Sequence, residues 1–257
     1  MFKRKVITTL LFCLISLCNF AQAGVTISDS IFSGGYYRKF RLYVPNVYLG
    51  TTAVPLIINL HGYPYSATHQ QNYSNFMPVA DTANFLVVHP EGVNGGTGQF
   101  WNAGIVPPPP NDVLFMSNLV DSLSAMYNID QSRVYSCGWS NGGIMSYYLA
   151  CNLPLKIAAI ASVAGSMLNS WYSCALVRPF PVMEIHSNTD PNVNYNGDAN
   201  YAPMDSIINK WRQHNNCGVS PVTYSVPDIN LTDNSTAVNY KYIGGNNGST
   251  VELYKIF

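Results

Sequence analysis

Charge is scarce in this sequence. Lysine and arginine together number 13 against 13 acidic residues, so charged residues make up 10% of the chain, where about 25% is usual. Without a basic stripe to neutralise phosphates, nucleic-acid binding is not supported. The cysteines contain no C-x-x-C pair, which leaves a zinc site without its usual ligand spacing. Long apolar runs are also lacking. The one at 6–20 is interrupted by Thr8, Thr9, Ser16 and Asn19 and is shorter than the roughly 20 residues that span a bilayer. Histidine is rare, with five in the chain.

What is present begins with an address. Lys3, Arg4 and Lys5 precede the 6–20 run, and Ala21-Gln-Ala23 supplies the small-x-small pattern of a cleavage site. Residues 1–23 read as a secretory signal, with a mature chain from Gly24 exported as a protein without stable membrane insertion. Removal of the signal leaves 13 − 3 = 10 basic residues against 13 acidic ones, a surface whose polarity comes from Asn, Ser, Thr and Tyr. That suits an extracellular protein handling neutral ligands. Residues 24–257 have the length of one large domain.

Aromatic and β-branched runs at 36–44, 54–60, 85–89, 134–137, 157–163 and 182–186 read as strands. Leu56-Ile-Ile-Asn-Leu60 is apolar at nearly every position, as in a strand buried on both faces of a parallel sheet. Helical stretches alternate with them at 75–83, 113–127, 142–153 and 204–214; in the second, Phe115, Leu119 and Leu123 recur at four-residue spacing. This alternation predicts an α/β fold around a mostly parallel sheet with helices on its faces. Further strands are predicted at 222–226, 240–242 and 251–257, and the proline run at 107–110 reads as a rigid loop.

Gly138-Trp-Ser140-Asn-Gly142 lies between a predicted strand and a predicted helix. In that position Gly-x-Ser-x-Gly forces a sharp turn that holds the serine in a strained, exposed conformation. Ser140 is the expected nucleophile. The Asn141 amide, at the helix start, is the expected oxyanion donor. A second donor is expected from Asn59-Leu-His61-Gly62-Tyr63-Pro64, where the Tyr63 amide is the choice because Pro64 has none. His61 and His186 read as structural rings. Asp190, in the polar loop after the 182–186 strand, is the expected acid, ahead of Glu184 and Asp198. Of the four cysteines after the signal, which allow three pairings, Cys151 and Cys174 are the expected disulfide, since both fall near ends of elements that follow the elbow; Cys137 reads as a buried thiol.

These residues resemble the secreted polyhydroxybutyrate depolymerase and feruloyl esterase group of the α/β-hydrolase superfamily. The resemblance rests on Leu60-His-Gly62, Phe100-Trp-Asn102, Asn111-Asp-Val113, the lead at 129–135, Gly138-Trp-Ser-Asn-Gly-Gly143, and His186-Ser-Asn-Thr-Asp190-Pro-Asn-Val-Asn-Tyr195-Asn-Gly197. It implies an α/β-hydrolase fold and a serine carboxylic-ester hydrolase, with Ser140 as nucleophile, Asp190 as acid, and Trp101 and Tyr195 lining the substrate cleft. It implies no metal and no cofactor. The substrate would be a polyester or an esterified plant polysaccharide. Ser187 and Asn194 depart from the family's Gly and Pro. The family's histidine motif follows the strand that 251–257 resembles, so the general base is expected beyond Phe257; the one histidine after Asp190 is His214, on a helix. A serine peptidase on the same fold, or an inactive domain binding glycan or protein, are the alternatives.

Overall fold

The computed structural model describes residues 24–106 and 110–257. The expected signal at 1–23 and most of the proline run lie outside the described residues. Val25–Ser33 (β1) and Tyr36–Val44 (β2) form an antiparallel hairpin, followed by Val54–Leu60 (β3). Ala67–Ser74 (α1) and Met77–Ala83 (α2) lead into Leu86–Pro90 (β4), and the short strands Val93–Asn94 (β5) and Gln99–Phe100 (β6) pair by themselves. Asp112–Met126 (α3), Ile129–Trp139 (β7), Asn141–Asn152 (α4), Ala159–Val163 (β8) and Val182–Ser187 (β9) build the centre. Met204–Asn215 (α5), Val222–Val226 (β10), Ala237–Tyr242 (β11), a 3₁₀ turn at Asn246–Gly248 and Val251–Ile256 (β12) follow.

One ten-stranded sheet runs β1-β2-β4-β3-β7-β8-β9-β12-β11-β10. From β4 to β12 its strands are parallel, and the flanking pairs at both edges are antiparallel. The parallel centre brings the carboxyl ends of β3, β7, β8, β9 and β12 to one rim, where open α/β sheets place their sites. Leu56, Ile58, Leu60, Val134 and Val182 of these strands join one core with the helices. In α3, Phe115, Met116, Leu119, Val120 and Leu123 are buried, and the Asn111 side chain caps the first turn by accepting from Leu114 N at 2.9 Å. Helix α4 is buried on nearly every side, from Gly142 to Ala150, as expected for a helix sandwiched in a core. On the other side of β7, β8, β9 and β12, the alternate residues Tyr135, Ala161, Met183 and Tyr254 stay half-buried. Cys151 and Cys174 are joined as a disulfide, with Cα atoms 6.0 Å apart. No helix of the described residues is long and apolar enough to cross a membrane.

Strand β1, helix α1 and the two-residue strands β5 and β6 have no counterpart in the sequence pattern. Strand β1 is a half-exposed edge strand. Helix α1 carries amides where a core-facing helix normally carries aliphatic groups. Gln70 Nε2 donates to Asn59 Oδ1 at 2.8 Å, Asn59 Nδ2 to Ser74 Oγ at 2.7 Å, and Gln71 Nε2 to Thr26 Oγ1 at 2.9 Å. Arg41 Nε donates to Gln71 Oε1 at 2.6 Å. A helix fastened by hydrogen bonds has no apolar period to be read. The left-handed Asn75 (φ 41°) separates it from α2, so the helix predicted over 75–83 begins at Met77.

A buried ion pair ties the sheet edge to the loop before α3. Arg38 of β2 donates from Nη2 to Asp112 Oδ1 at 2.5 Å, and its guanidinium lies 4.1 Å from the Phe115 ring centre. The second Asp112 oxygen accepts from Asn102 N at 2.7 Å. Asn102 in turn accepts from the amides of Ile105 and Val106 and donates to the carbonyls of Val106 and Pro110. Removing one member leaves a buried charge without its partner. Asp112→Ala is expected to lower unfolding free energy by about 3–5 kcal/mol, measured as the urea midpoint.

Two buried histidines set an acid limit. Burial pushes both His61 and His89 down to about 4, the charge of Arg41 adding to the effect at His89. Neither ring nitrogen of His89 has a hydrogen-bond partner. As pH falls below about 6.5 the unfolded chain takes up protons that the folded one refuses, so stability declines until about 4. His89→Leu should reduce that decline by about 1 kcal/mol per pH unit, seen by comparing urea midpoints of the two proteins at about pH 5 and about pH 7.

Candidate active site

The elbow forms where β7 delivers the chain into α4. Ser140 sits at φ 53°, ψ −118°, a strained region for a non-glycine residue. Hydrogen bonds fix it on both sides: Ser140 N donates to Val163 O at 2.8 Å, and Ile144 N to Ser140 O at 3.0 Å. The turn is possible because backbones nearly touch. A Cβ on Gly142 would lie 2.3 Å from Leu60 O, and one on Gly138 would lie 2.6 Å from Gly142 C. Both glycines of the motif are therefore required by space.

Ser140 opens into a cavity of about 690 Å³ lined by Tyr63, Tyr65, Phe100, Ile105, Val106, Trp139, Asn141, Val193 and Tyr201, among others. No lysine, arginine, aspartate or glutamate is among its lining residues. Both residues expected to supply oxyanion donors stand at its wall. Asn141 is the first residue of α4, so its N–H has no partner within the helix. Its side chain is committed elsewhere, accepting from Trp101 N at 2.7 Å and donating to Trp101 O at 3.1 Å. Tyr65 N donates to Gly62 O at 2.9 Å, closing the turn that carries Tyr63. The Tyr63 ring is anchored by a hydrogen bond between its hydroxyl and Thr97 Oγ1 at 2.7 Å.

Asp190 lies in the loop after β9. Its Oδ1 accepts from Asn192 N at 2.8 Å and Val193 N at 2.9 Å, and Asn192 and Val193 line the cavity. Its Oδ2 lies 3.8 Å from His186 Nε2. Beneath this loop is a buried pair, Glu184 and His186. His186 Nδ1 is 3.0 Å from Glu184 Oε1, and His186 Nε2 donates to Val193 O at 2.8 Å. Burial opposes the imidazolium, but the hydrogen bond and charge of Glu184, aided by the Val193 carbonyl, raise the His186 pKa above its ordinary value. Burial also raises that of Glu184. With both ring nitrogens occupied, His186 fixes the Asp190 loop rather than reaching Ser140.

The other histidines also sit away from the cavity lining. His61 Nε2 accepts from Gly92 N at 2.9 Å and its Nδ1 faces Gly62 O at 3.0 Å, which pins the loop before Tyr63. His69 stacks on Tyr65, and His89 is inside β4. His214 Nε2 lies 2.7 Å from Arg178 O at the end of α5. None of the five lines the cavity. Among the described residues no cluster of His, Cys, Asp and Glu is arranged to hold a metal.

Two expected cleft residues are placed differently. Trp101 is fully buried: its Nε1 donates to His61 O at 3.0 Å and its ring packs against that of His61 at 4.8 Å. Tyr195 is 3% exposed, donates to Asp205 Oδ1 at 2.6 Å and lies edge-on to His186. Both brace loops from behind, because hydrogen bonds draw their polar ends inward. The walls that sequence reasoning missed are Tyr65, Trp139, Ile105, Val106 and Tyr201. Trp139 had a signal, its place inside the elbow; the others come from loops whose path no period reveals.

A family model described as the prolyl oligopeptidase family matches residues 71–215, from α1 through the elbow and the Asp190 loop to the end of α5. Feruloyl esterase B of Piromyces equi is 30% identical over 196 residues, covering 72% of this chain and 37% of that protein. A bifunctional acetylxylan esterase/xylanase of Neocallimastix patriciarum is 29% identical over 193 residues, covering 75% of this chain and 26% of that one. The chain thus spans well under half the length of these two relatives. The solved acetyl xylan esterase from Aspergillus awamori superposes with a TM-score of 0.62 at 14% identity, over 91% of this chain and 93% of its own. With the sheet of an α/β-hydrolase and more than half its length matched by the model, the chain belongs to the prolyl oligopeptidase family of α/β-hydrolases.

Proposed function

We propose that this chain is the catalytic domain of a secreted serine carboxylic-ester hydrolase. The observation that carries the reading is Ser140 at a strained elbow, opening into an uncharged cavity with Tyr63 and Asn141 at its wall. Ser140 Oγ attacks the ester carbonyl, the Tyr63 and Asn141 amides receive the developing oxyanion, and the alcohol departs with a proton. Water then cleaves the acyl-enzyme and releases the acid. Asp190 orients the imidazole that shuttles the proton. The end of β12 adjoins the Asp190 loop, with Ile256 in register with Ser187 and Asn188 N donating to Ile256 O at 2.9 Å. Residues 1–23 direct export in this reading.

The relatives named as feruloyl and acetylxylan esterases support an ester of a plant polysaccharide as substrate over a hydroxyalkanoate polyester. The family's name favours a peptidase, but the uncharged cavity offers no group to pair with a peptide's charged end.

In the product of the complete gene, p-nitrophenyl acetate turnover is expected. Ser140→Ala should lower kcat by about 10⁶-fold and Asp190→Asn by about 10⁴-fold. Cleavage of peptide p-nitroanilides without ester turnover would overturn the esterase reading.

A further inference from the structure

Helix α1 is built inside out. The side facing the sheet carries Gln70, Gln71 and Ser74, all engaged in hydrogen bonds, while the side facing solvent carries rings. Tyr65, just before the helix, and His69 and Tyr73 within it recur at four-residue spacing and so share one face. Their rings are nearly parallel. Tyr65 lies 4.0 Å from His69 at 20°, and His69 lies 5.7 Å from Tyr73 at 18°. Trp139 of the elbow joins all three at 5.3, 6.4 and 5.3 Å, inclined by 35° or less. Tyr73 is 64% exposed and Tyr65 39%. Folding does not require this arrangement: amphipathic helices place their rings inward, and contiguous exposed apolar surface marks a binding site.

The surface has three properties that select its occupant. First, it is continuous with the cavity, since Tyr65 and Trp139 line both. Second, its rings come from uncharged chain: from Leu42 to Ala80 there is no lysine, arginine, aspartate or glutamate, Trp139 is flanked by Gly138 and Ser140, and the charged groups that pack on α1, Arg41 and Glu91, are engaged by Gln71 and the Ala67 amide. Third, exposed hydroxyl and amide groups border the rings, for Thr68 and Asn72 each precede a ring residue on the helix. Stacking turns the inner faces of Tyr65 and His69 toward each other, so a ligand meets the outer faces of the stack, whose negative charge attracts weakly positive C–H groups, while the polar border meets hydroxyls. A polyester chain would make little use of that border.

We propose that Tyr65, Tyr73 and Trp139 form a platform on which pyranose rings of a neutral polysaccharide stack, holding the chain that bears the ester across the mouth of the Ser140 cavity. This deepens the esterase reading and rests on it for the identity of the reacting group, but its binding can be measured without turnover.

The test uses the complete gene product carrying Ser140→Ala, with xylohexaose and insoluble xylan as probes. This protein is expected to bind xylan, and xylohexaose should change its tryptophan fluorescence. Adding Tyr73→Ala should weaken binding about tenfold and Tyr65→Ala with Tyr73→Ala further, whereas Tyr73→Phe, which keeps the ring, should bind as the parent does. Tyr37→Ala, at an exposed tyrosine on β2, serves as the control for surface change. The proposal is overturned if xylohexaose leaves the fluorescence unchanged, if the double variant binds xylan like its parent, if Tyr73→Phe loses as much as Tyr73→Ala, or if polyhydroxybutyrate granules are bound in place of xylan. Ester turnover by the Ser140 protein without xylan binding would sink the platform alone. Xylan binding that depends on the rings, with no ester turnover, would sink the esterase reading and leave the platform standing.

Discussion

The close approach of three backbone segments at the end of β3, the elbow and the start of α4 governs everything around Ser140. The carbonyl of Leu60 occupies the space where side chains on Gly142 would begin, and Gly138 and Gly142 press on each other. That contact lets α4 start immediately after β7, which is why Ser140 is driven into a positive φ and outward. It also sets the distance between the Asn141 amide and the loop bearing Tyr63. Packing of backbone on backbone leaves little room to relax, so the strain at Ser140 is held by the whole centre of the sheet rather than by one bond.

Two buried polar assemblies extend this control to the loops. Arg38 and Asp112 anchor Asn102, whose side chain gathers the amides and carbonyls of the segment that carries Ile105 and Val106 to the cavity wall. Glu184 and His186 hold the Val193 carbonyl from below, while Asp190 holds the Val193 and Asn192 amides from above. A buried polar group is costly without its hydrogen bond, so the bonds of each assembly fix one geometry for its loop.

The sequence made the centre of the fold legible and the rim much less so. Strands β2, β3 and β10 lie at the positions their apolar and β-branched patterns mark, and α3 follows its four-residue repeat behind the Asn111 cap. These patterns survive in sequence because the same face is buried along a whole element. Helix α1 left no such trace, since hydrogen-bonded amides replace aliphatic packing on its inner side. Trp101 and Tyr195 mislead for a related reason. An aromatic residue in a motif beside the nucleophile can face the substrate or brace the loop from behind, and linear spacing is the same in both cases.

By itself the sequence determined the α/β alternation, the elbow that turns at Ser140 and the glycines that elbow requires, because each depends on neighbours within a few positions of the chain. The tertiary structure alone decided which side chains line the cavity, that all five histidines point elsewhere, and that the rings of α1 join Trp139 beside Ser140. Those facts depend on how segments from β3, α1, β7 and the Asp190 loop converge at one rim of the sheet, and convergence across the fold has no signature in local order.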